Sequence, residues 1–180
     1  MKNMLVVIDY QVDFVDGALG FPGAELLDAG IAALLRAAAA GGDYIVYTMD
    51  THGADYLTSR EGKALPVAHC IEGTAGWALY GETAAALDDV HAVELKKATF
   101  GVAPVDMLTL PEDVVQITLV GLVSNICLLS NACVFQARYP QAQVVVVRDL
   151  CASFDPALHE KTMDVLAGIQ VRVVNKSAVP

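Results

Sequence analysis

The sequence predicts an α/β fold: a three-layer α/β/α sandwich around a six-stranded, mostly parallel sheet. Three observations carry that expectation. Short apolar runs alternate with helix-length amphipathic runs along the whole chain. The short runs are apolar without interruption, as strands covered on both faces are. Strand–helix alternation of this kind also implies right-handed crossovers between parallel strands. The 180 residues are 55% hydrophobic and 18% charged, enough for a buried core and incompatible with a disordered chain. No internal repeat, linker or low-complexity segment divides residues 1–180, so one domain is expected.

The elements follow in order. Residues 4–8 form a buried strand, and residues 25–40 a helix that Gly41 and Gly42 stop. Residues 44–49 are the second strand. Residues 50–77 make a polar, glycine-punctuated excursion too long for a simple connection. A helix over 78–87 leads to a third strand at 92–95. Residues 114–120 are the fourth strand, with the helix 125–138 behind it, and 144–147 the fifth. The next helix spans 156–167, capped by Asp155 ahead of a proline at its first position. Residues 170–174 close the sheet.

The bulk properties narrow the function. A formal charge of −10 repels phosphate and argues against nucleic acid or an anionic membrane as partner. No run is long enough to span a bilayer, and the N-terminal apolar run, ended by Asp9, lacks the form of a signal peptide. Cys70, Cys127, Cys133 and Cys151 show neither paired nor zinc-ribbon spacing, and read as reduced thiols in the cytoplasm. The turn around Gly73 and Gly76 has neither a phosphate-loop nor a dinucleotide fingerprint, so no organic cofactor is expected.

Sites in such sheets lie at the carboxyl ends of the strands, where strand order reverses. The polar residues placed there are Asp9, Asp50 with His52, Lys97, Ser124 to Cys127, and Asp149. Cys127 opens a helix, where the backbone dipole favours a thiolate and the preceding turn offers N–H groups to an oxyanion. The other three cysteines read as small buried hydrophobes. Asp9 follows a buried strand and must be solvated, paired or used; Asp13 reads as a capping residue. Strand alternation sends Lys96 and Lys97 to opposite sides, so at most one faces the site. Asp50, His52 and His69 offer one oxygen and two nitrogens, a set that suits zinc, iron or manganese. His91 and His159 read as structural histidines, and Trp77 as a packing anchor.

At these residues the sequence resembles the isochorismatase-like cysteine hydrolases, with their Rossmann-like topology, and within them the nicotinamidase-type amidases. The family's strand ending Asp-x-Gln-x-Asp-Phe matches Asp9-Tyr10-Gln11-Val12-Asp13-Phe14. Its Lys-x-x-Tyr/Phe motif selects Lys97, with Phe100. Its Gly-x-x-x-Asp/Asn-x-Cys motif matches Gly121 to Cys127, with Ala132 beyond. The run His69-Cys70-Ile71-Glu72-Gly73-Thr74-Ala75-Gly76 is similar to one in nicotinamidases. The resemblance implies a catalytic triad of Asp9, Lys97 and Cys127, and a cis peptide at Leu122–Val123. It also implies an oxyanion hole from the N–H groups of Val123 and Cys127, and Phe14 against the substrate.

The implied activity is hydrolysis of a small carboxamide or carbamoyl compound through a thioester, nicotinamide leading. The implied metal is zinc on Asp50, His52 and His69, and the implied assembly a dimer or tetramer. Two other readings are a vinyl-ether hydrolase of the isochorismatase type and a silent interaction module. The chain also departs from nicotinamidases: Thr58 stands where they carry a third histidine, and Pro66 near where they carry an aromatic residue.

Overall fold

A computed structural model describes residues 2–178. Six parallel strands form one sheet: β1 (Lys2–Ile8), β2 (Tyr44–Asp50), β3 (Ala92–Lys97), β4 (Val114–Gly121), β5 (Gln143–Cys151) and β6 (Arg172–Val174). Their order is β3-β2-β1-β4-β5-β6. The chain winds outward from β1 to β3, then restarts on the other side of β1 with β4. Strand order therefore reverses between β1 and β4, which is where such sheets open a crevice.

The helices are α1 (Val12–Val15), α2 (Asp28–Ala40), α3 (Arg60–Ala64), α4 (Gly81–Asp88), α5 (Leu129–Arg138) and α6 (Pro156–Gly168). Alternation along β1 divides the core. Met4, Val6 and Ile8 face a cluster with Phe135 of α5 and Met163 and Leu166 of α6. Leu5 and Val7 face Ile31 and Leu35 of α2 and Ala86 and Leu87 of α4. Each buried Leu or Ile contributes about 1.5–3 kcal/mol, so both layers are needed to hold β1 at the centre.

Several boundaries differ from the sequence reading. The helix expected from residue 25 is a turn of tight helix over Glu25–Leu27 followed by α2. Asp28 starts α2 and reaches sideways, its carboxylate accepting the N–H groups of Glu82 and Thr83 at the start of α4. α4 accordingly begins at Gly81, not residue 78. β5 runs on to Cys151, so Asp149 lies inside the strand and away from the crevice; it is exposed and accepts the N–H of Lys176. The cap at Asp155 has the expected form, its carboxylate accepting the N–H groups of Ala157 and Leu158. Cys133 is exposed, because it sits on the outer face of α5, and His91 is exposed just before β3.

The junction of β1 and β4 needs a glycine. Gly121 has φ +113, and a Cβ there would lie 2.2 Å from the carbonyl oxygen of Ile8. Only an absent side chain lets the end of β4 approach β1 this closely, and that approach brings the segment after Gly121 over Asp9.

Candidate active site

Asp9 follows β1 directly and has a left-handed backbone, φ +44, an uncommon conformation for a non-glycine residue. Its N–H donates to Thr48 Oγ1, whose hydroxyl donates back to Asp9 Oδ1 at 2.6 Å. The other carboxylate oxygen, Oδ2, faces Lys97 Nζ at 2.6 Å. Lys97 ends β3 opposite Asp50 at the end of β2, and its ammonium donates to Asp50 Oδ1 at 3.1 Å. The same nitrogen lies 3.6 Å from Cys127 Sγ. One buried cation thus touches two carboxylates and a thiol. Lys96 takes the opposite side, as alternation requires: it is exposed, pairs with Glu72 and lies over the Trp77 ring.

Cys127 sits in a wide five-residue turn, Ser124–Leu128, that runs straight into α5. Such turns recur at functional sites because they redirect one side chain without ending the helix. The peptide between Leu122 and Val123 is cis. Among the described residues the Val123 N–H makes no backbone hydrogen bond, which leaves it available beside the thiol. The turn is tied down by Ser124, which is fully buried and hydrogen-bonded to His159, and by Asn125, which accepts from Ser153.

The electrostatics of the cluster pull in opposite directions. Burial pushes the Cys127 thiol well above its ordinary value; Lys97 pulls it down, while Asp9 and Asp50 push it up again. A single ammonium shared among three acids cannot keep all of them ionised. Burial likewise raises Asp9, against the pull of Lys97. Burial works against the Lys97 charge, yet Asp9, Cys127 and Asp50 hold it above the usual lysine range. Burial and the two carboxylates thus favour the neutral thiol, and Lys97 opposes them.

Asp50, His52 and His69 also converge, their donor atoms all within 4.8 Å of one another. The imidazole Nε2 atoms of His52 and His69 lie 3.1 and 3.4 Å from Asp50 Oδ2. His69 Nδ1 is 2.8 Å from the Val67 carbonyl, which must accept from it, so in the neutral ring Nε2 is the free lone pair. Burial opposes a charge on His69, but its bonds to Asp50 and Val67 raise it above the ordinary histidine value. Burial would raise Asp50, and the hydrogen bonds from His52 and His69 with the Lys97 charge bring it below the usual carboxylate range.

Sequence reasoning missed Glu61. Its Oε1 lies 3.8 Å from His52 Nε2 and 4.0 Å from His69 Nε2, while Oε2 is buried without a hydrogen-bond partner. A buried carboxylate oxygen left unpaired beside two imidazoles and a second carboxylate is what a divalent cation would complete. Glu61 and Asp55 are the only acids between His52 and His69, and Asp55 is exposed, so a search for acids rather than a third histidine would have found it. Thr58 is exposed and donates to Asp55 O. Tyr56 instead packs against both imidazoles, 4.6 and 4.9 Å from their centroids, with its hydroxyl donated to Leu65 O.

Two motif residues position the others. Gln11 donates to Asp50 O and Trp77 O and accepts the Asp50 N–H, clamping β2 to the excursion. Asp13 accepts the N–H groups of Ala18 and Cys70, the capping role expected of it, and so fixes Cys70 (φ +45) next to His69. A Cβ on Gly76 would lie 2.2 Å from Asp13 Oδ2. Phe14 packs edge-on to His69 at 5.6 Å. A cavity of about 470 Å³ opens above these groups, reaching Cys127, Val123, Asp50, His69, Glu61 and Phe14.

Comparison with known proteins names the lineage. The family model described as the isochorismatase domain matches residues 3–177. The chain belongs to the isochorismatase family. Within that family the isochorismatase family protein PncA of Bacillus subtilis (strain 168) is 29% identical over 170 residues, covering 88% of this chain and 91% of the relative. The crystal structure of the nicotinamidase/pyrazinamidase PncA from Bacillus subtilis superposes with a TM-score of 0.86 at 28% identity, covering 97% of this chain and 100% of that one. A pyrazinamidase/nicotinamidase from Streptococcus mutans UA159 gives 0.84 at 27%, over 96% and 100%. This chain is therefore an isochorismatase-family hydrolase near the nicotinamidases, and the three-layer α/β sheet expected from its sequence is the fold it has. None of its described helices is long and apolar enough to cross a membrane.

Proposed function

We propose that this enzyme hydrolyses small carboxamides with Cys127 as nucleophile, nicotinamide being the leading substrate. The observation that carries the reading is Lys97, whose buried ammonium contacts Asp9, Asp50 and Cys127 at once. The amide carbonyl enters above Cys127. As sulfur attacks carbon, the thiol proton passes to Asp9, whose raised affinity for a proton suits it to receive one. The oxyanion forms against the Val123 and Cys127 N–H groups, donors worth about 3 kcal/mol each in comparable sites. Asp9 then gives the proton to the departing nitrogen, and ammonia leaves a thioester. A water deprotonated by Asp9 attacks the thioester, releasing the carboxylic acid and returning the proton to sulfur. Lys97 stays protonated throughout and holds Asp9 in line.

Asp50, His52, His69 and Glu61 would hold a divalent cation, and their mixed nitrogen and oxygen donors suit zinc. Bound there, it would offer a Lewis-acidic contact to a lone pair of the substrate. Nicotinamide is favoured over other amides because the two relatives of known structure are named for nicotinamide and pyrazinamide. The free cysteines fit a reducing compartment, and we place the enzyme in the cytoplasm as a single-domain protein that self-associates.

The test is ammonia release from nicotinamide, with zinc or a chelator present. Wild type should release ammonia and Cys127→Ala should not, while circular dichroism shows both folded. Full activity in the variant would refute the nucleophile.

A further inference from the structure

The cavity above Cys127 has two chemistries. Its floor carries Asp50, Glu61, His69 and the thiol; its walls are Phe14, Leu19, Leu65, Phe100, Ile126 and Phe154. No lysine, arginine, serine, threonine, asparagine or glutamine among the described residues lines it. The nearest ammonium, Lys97, is already paired with Asp9 and Asp50. A substrate carboxylate turned towards the mouth would meet only apolar side chains there and no side-chain donor, so its desolvation would go uncompensated.

The mouth is apolar as well. Leu65, Phe100 and Phe154 are among the large apolar side chains left exposed, and all three line this one opening. Phe154 is 58% exposed and held edge-on against Phe21, ring centroids 6.4 Å apart. Exposed apolar groups that converge on a cleft mark a surface kept for a ligand. At about 470 Å³ the cavity falls in the ~300–1,000 Å³ range that holds drug-sized ligands, more than a single-ring amide fills.

We propose that the site takes aryl carboxamides carrying an apolar group para to the carboxamide, with Phe100 and Phe154 selecting for that group. By the same geometry it rejects amides that carry a carboxylate at that para, mouth-facing position. The inference rests on the amidase reading, which puts the carboxamide at Cys127 and so points the opposite end of the ring at the mouth. It narrows that reading from small carboxamides in general to aryl carboxamides with an apolar para group.

Binding and turnover separate the two claims. Calorimetry on Cys127→Ala compares nicotinamide with its analogues bearing a phenyl group or a carboxylate para to the carboxamide. The phenyl analogue should bind at least about tenfold more tightly than nicotinamide, and the carboxylate at least about tenfold more weakly. In the same background, Phe100→Ala with Phe154→Ala should bring the phenyl-to-nicotinamide ratio towards one. Equal, weaker or undetectable binding of the phenyl analogue overturns the proposal, as does tight binding of the carboxylate or a ratio that survives loss of both rings. Ammonia release by wild type tests the amidase reading alone. If no amide is cleaved while the binding order holds, that reading falls and the ligand preference stands.

Discussion

The two halves of the site are built by different means. Asp9, Lys97 and Cys127 stand at or just past the ends of β1, β3 and β4, where strand register and the close approach at Gly121 fix them. His52, Glu61 and His69 come from the segment between β2 and α4 and depend on Gln11 and Asp13 reaching across to hold it. The first half is electrostatically closed: Lys97 faces Asp9 and Asp50, and Thr48 satisfies the remaining Asp9 oxygen. The second is open: Asp9 Oδ2 and Glu61 Oε2 are both buried without a hydrogen bond, but only the Asp9 oxygen has a cation against it. Preorganisation at the strand ends suits chemistry; an unsatisfied donor cluster beside it suits a ligand that arrives from outside.

Removing the cation of the closed half should have the largest effect. Lys97→Met leaves Asp9 and Asp50 buried without their counter-ion, and should lower stability by about 3–5 kcal/mol in urea denaturation. Turnover should fall at least ~10³-fold. A variant as stable as wild type would mean that the closed half is not held by Lys97. Next comes the backbone contact that assembles this half. Gly121→Ala forces a Cβ to within 2.2 Å of Ile8 O in a left-handed conformation, and should destabilise by at least about 2 kcal/mol. A small change would show that β1 and β4 can separate without penalty.

The open half should respond to metal rather than to denaturant. Glu61→Gln keeps the shape but removes a charge, and should weaken zinc binding about 10–100-fold by calorimetry, as loss of a site-supporting carboxylate commonly does. Without metal, the melting temperature should barely move. Unaltered zinc affinity would remove Glu61 from the donor set.

The smallest expected effect is on the loop that carries Cys127. Burial lowers His159 below its ordinary value, with Glu160 pulling it up and Arg148 pushing it down. The unfolded chain therefore takes up this proton first as pH falls. The stability His159 confers is complete above about pH 6.5, the unfolded value, and is lost as pH drops through the lower folded value. Urea midpoints of wild type should fall over that interval more steeply than those of His159→Gln. Parallel curves would remove His159 as the source.

Much of the closed half could be read in the sequence, because it obeys the rule that strand ends carry the chemistry. Asp9, Asp50, Lys97 and Cys127 each stand at or beyond a strand end; alternation lets only one of Lys96 and Lys97 face the site, and the family motif picks Lys97. The resemblance added the cis peptide at Leu122–Val123, which the structure contains. What escaped was set by distances between distant segments. Glu61 is one of only two acids between His52 and His69, but its place in the cluster is set only when α3 folds the excursion back over β2. The charge balance around Cys127 depends on how many acids share one ammonium, and sequence order does not reveal that count. Asp149 was misplaced because β5 runs beyond its apolar stretch.

The central claim is that sulfur at Cys127 takes the acyl group of an amide. Rapid acid quench of enzyme turning over nicotinamide, followed by peptide mass spectrometry, reads this directly. A nicotinoyl adduct should appear on the Cys127 peptide before the steady state and be absent from Cys127→Ala. Ammonia released at full rate with no adduct on any quench timescale, or with the adduct on another cysteine, would contradict it.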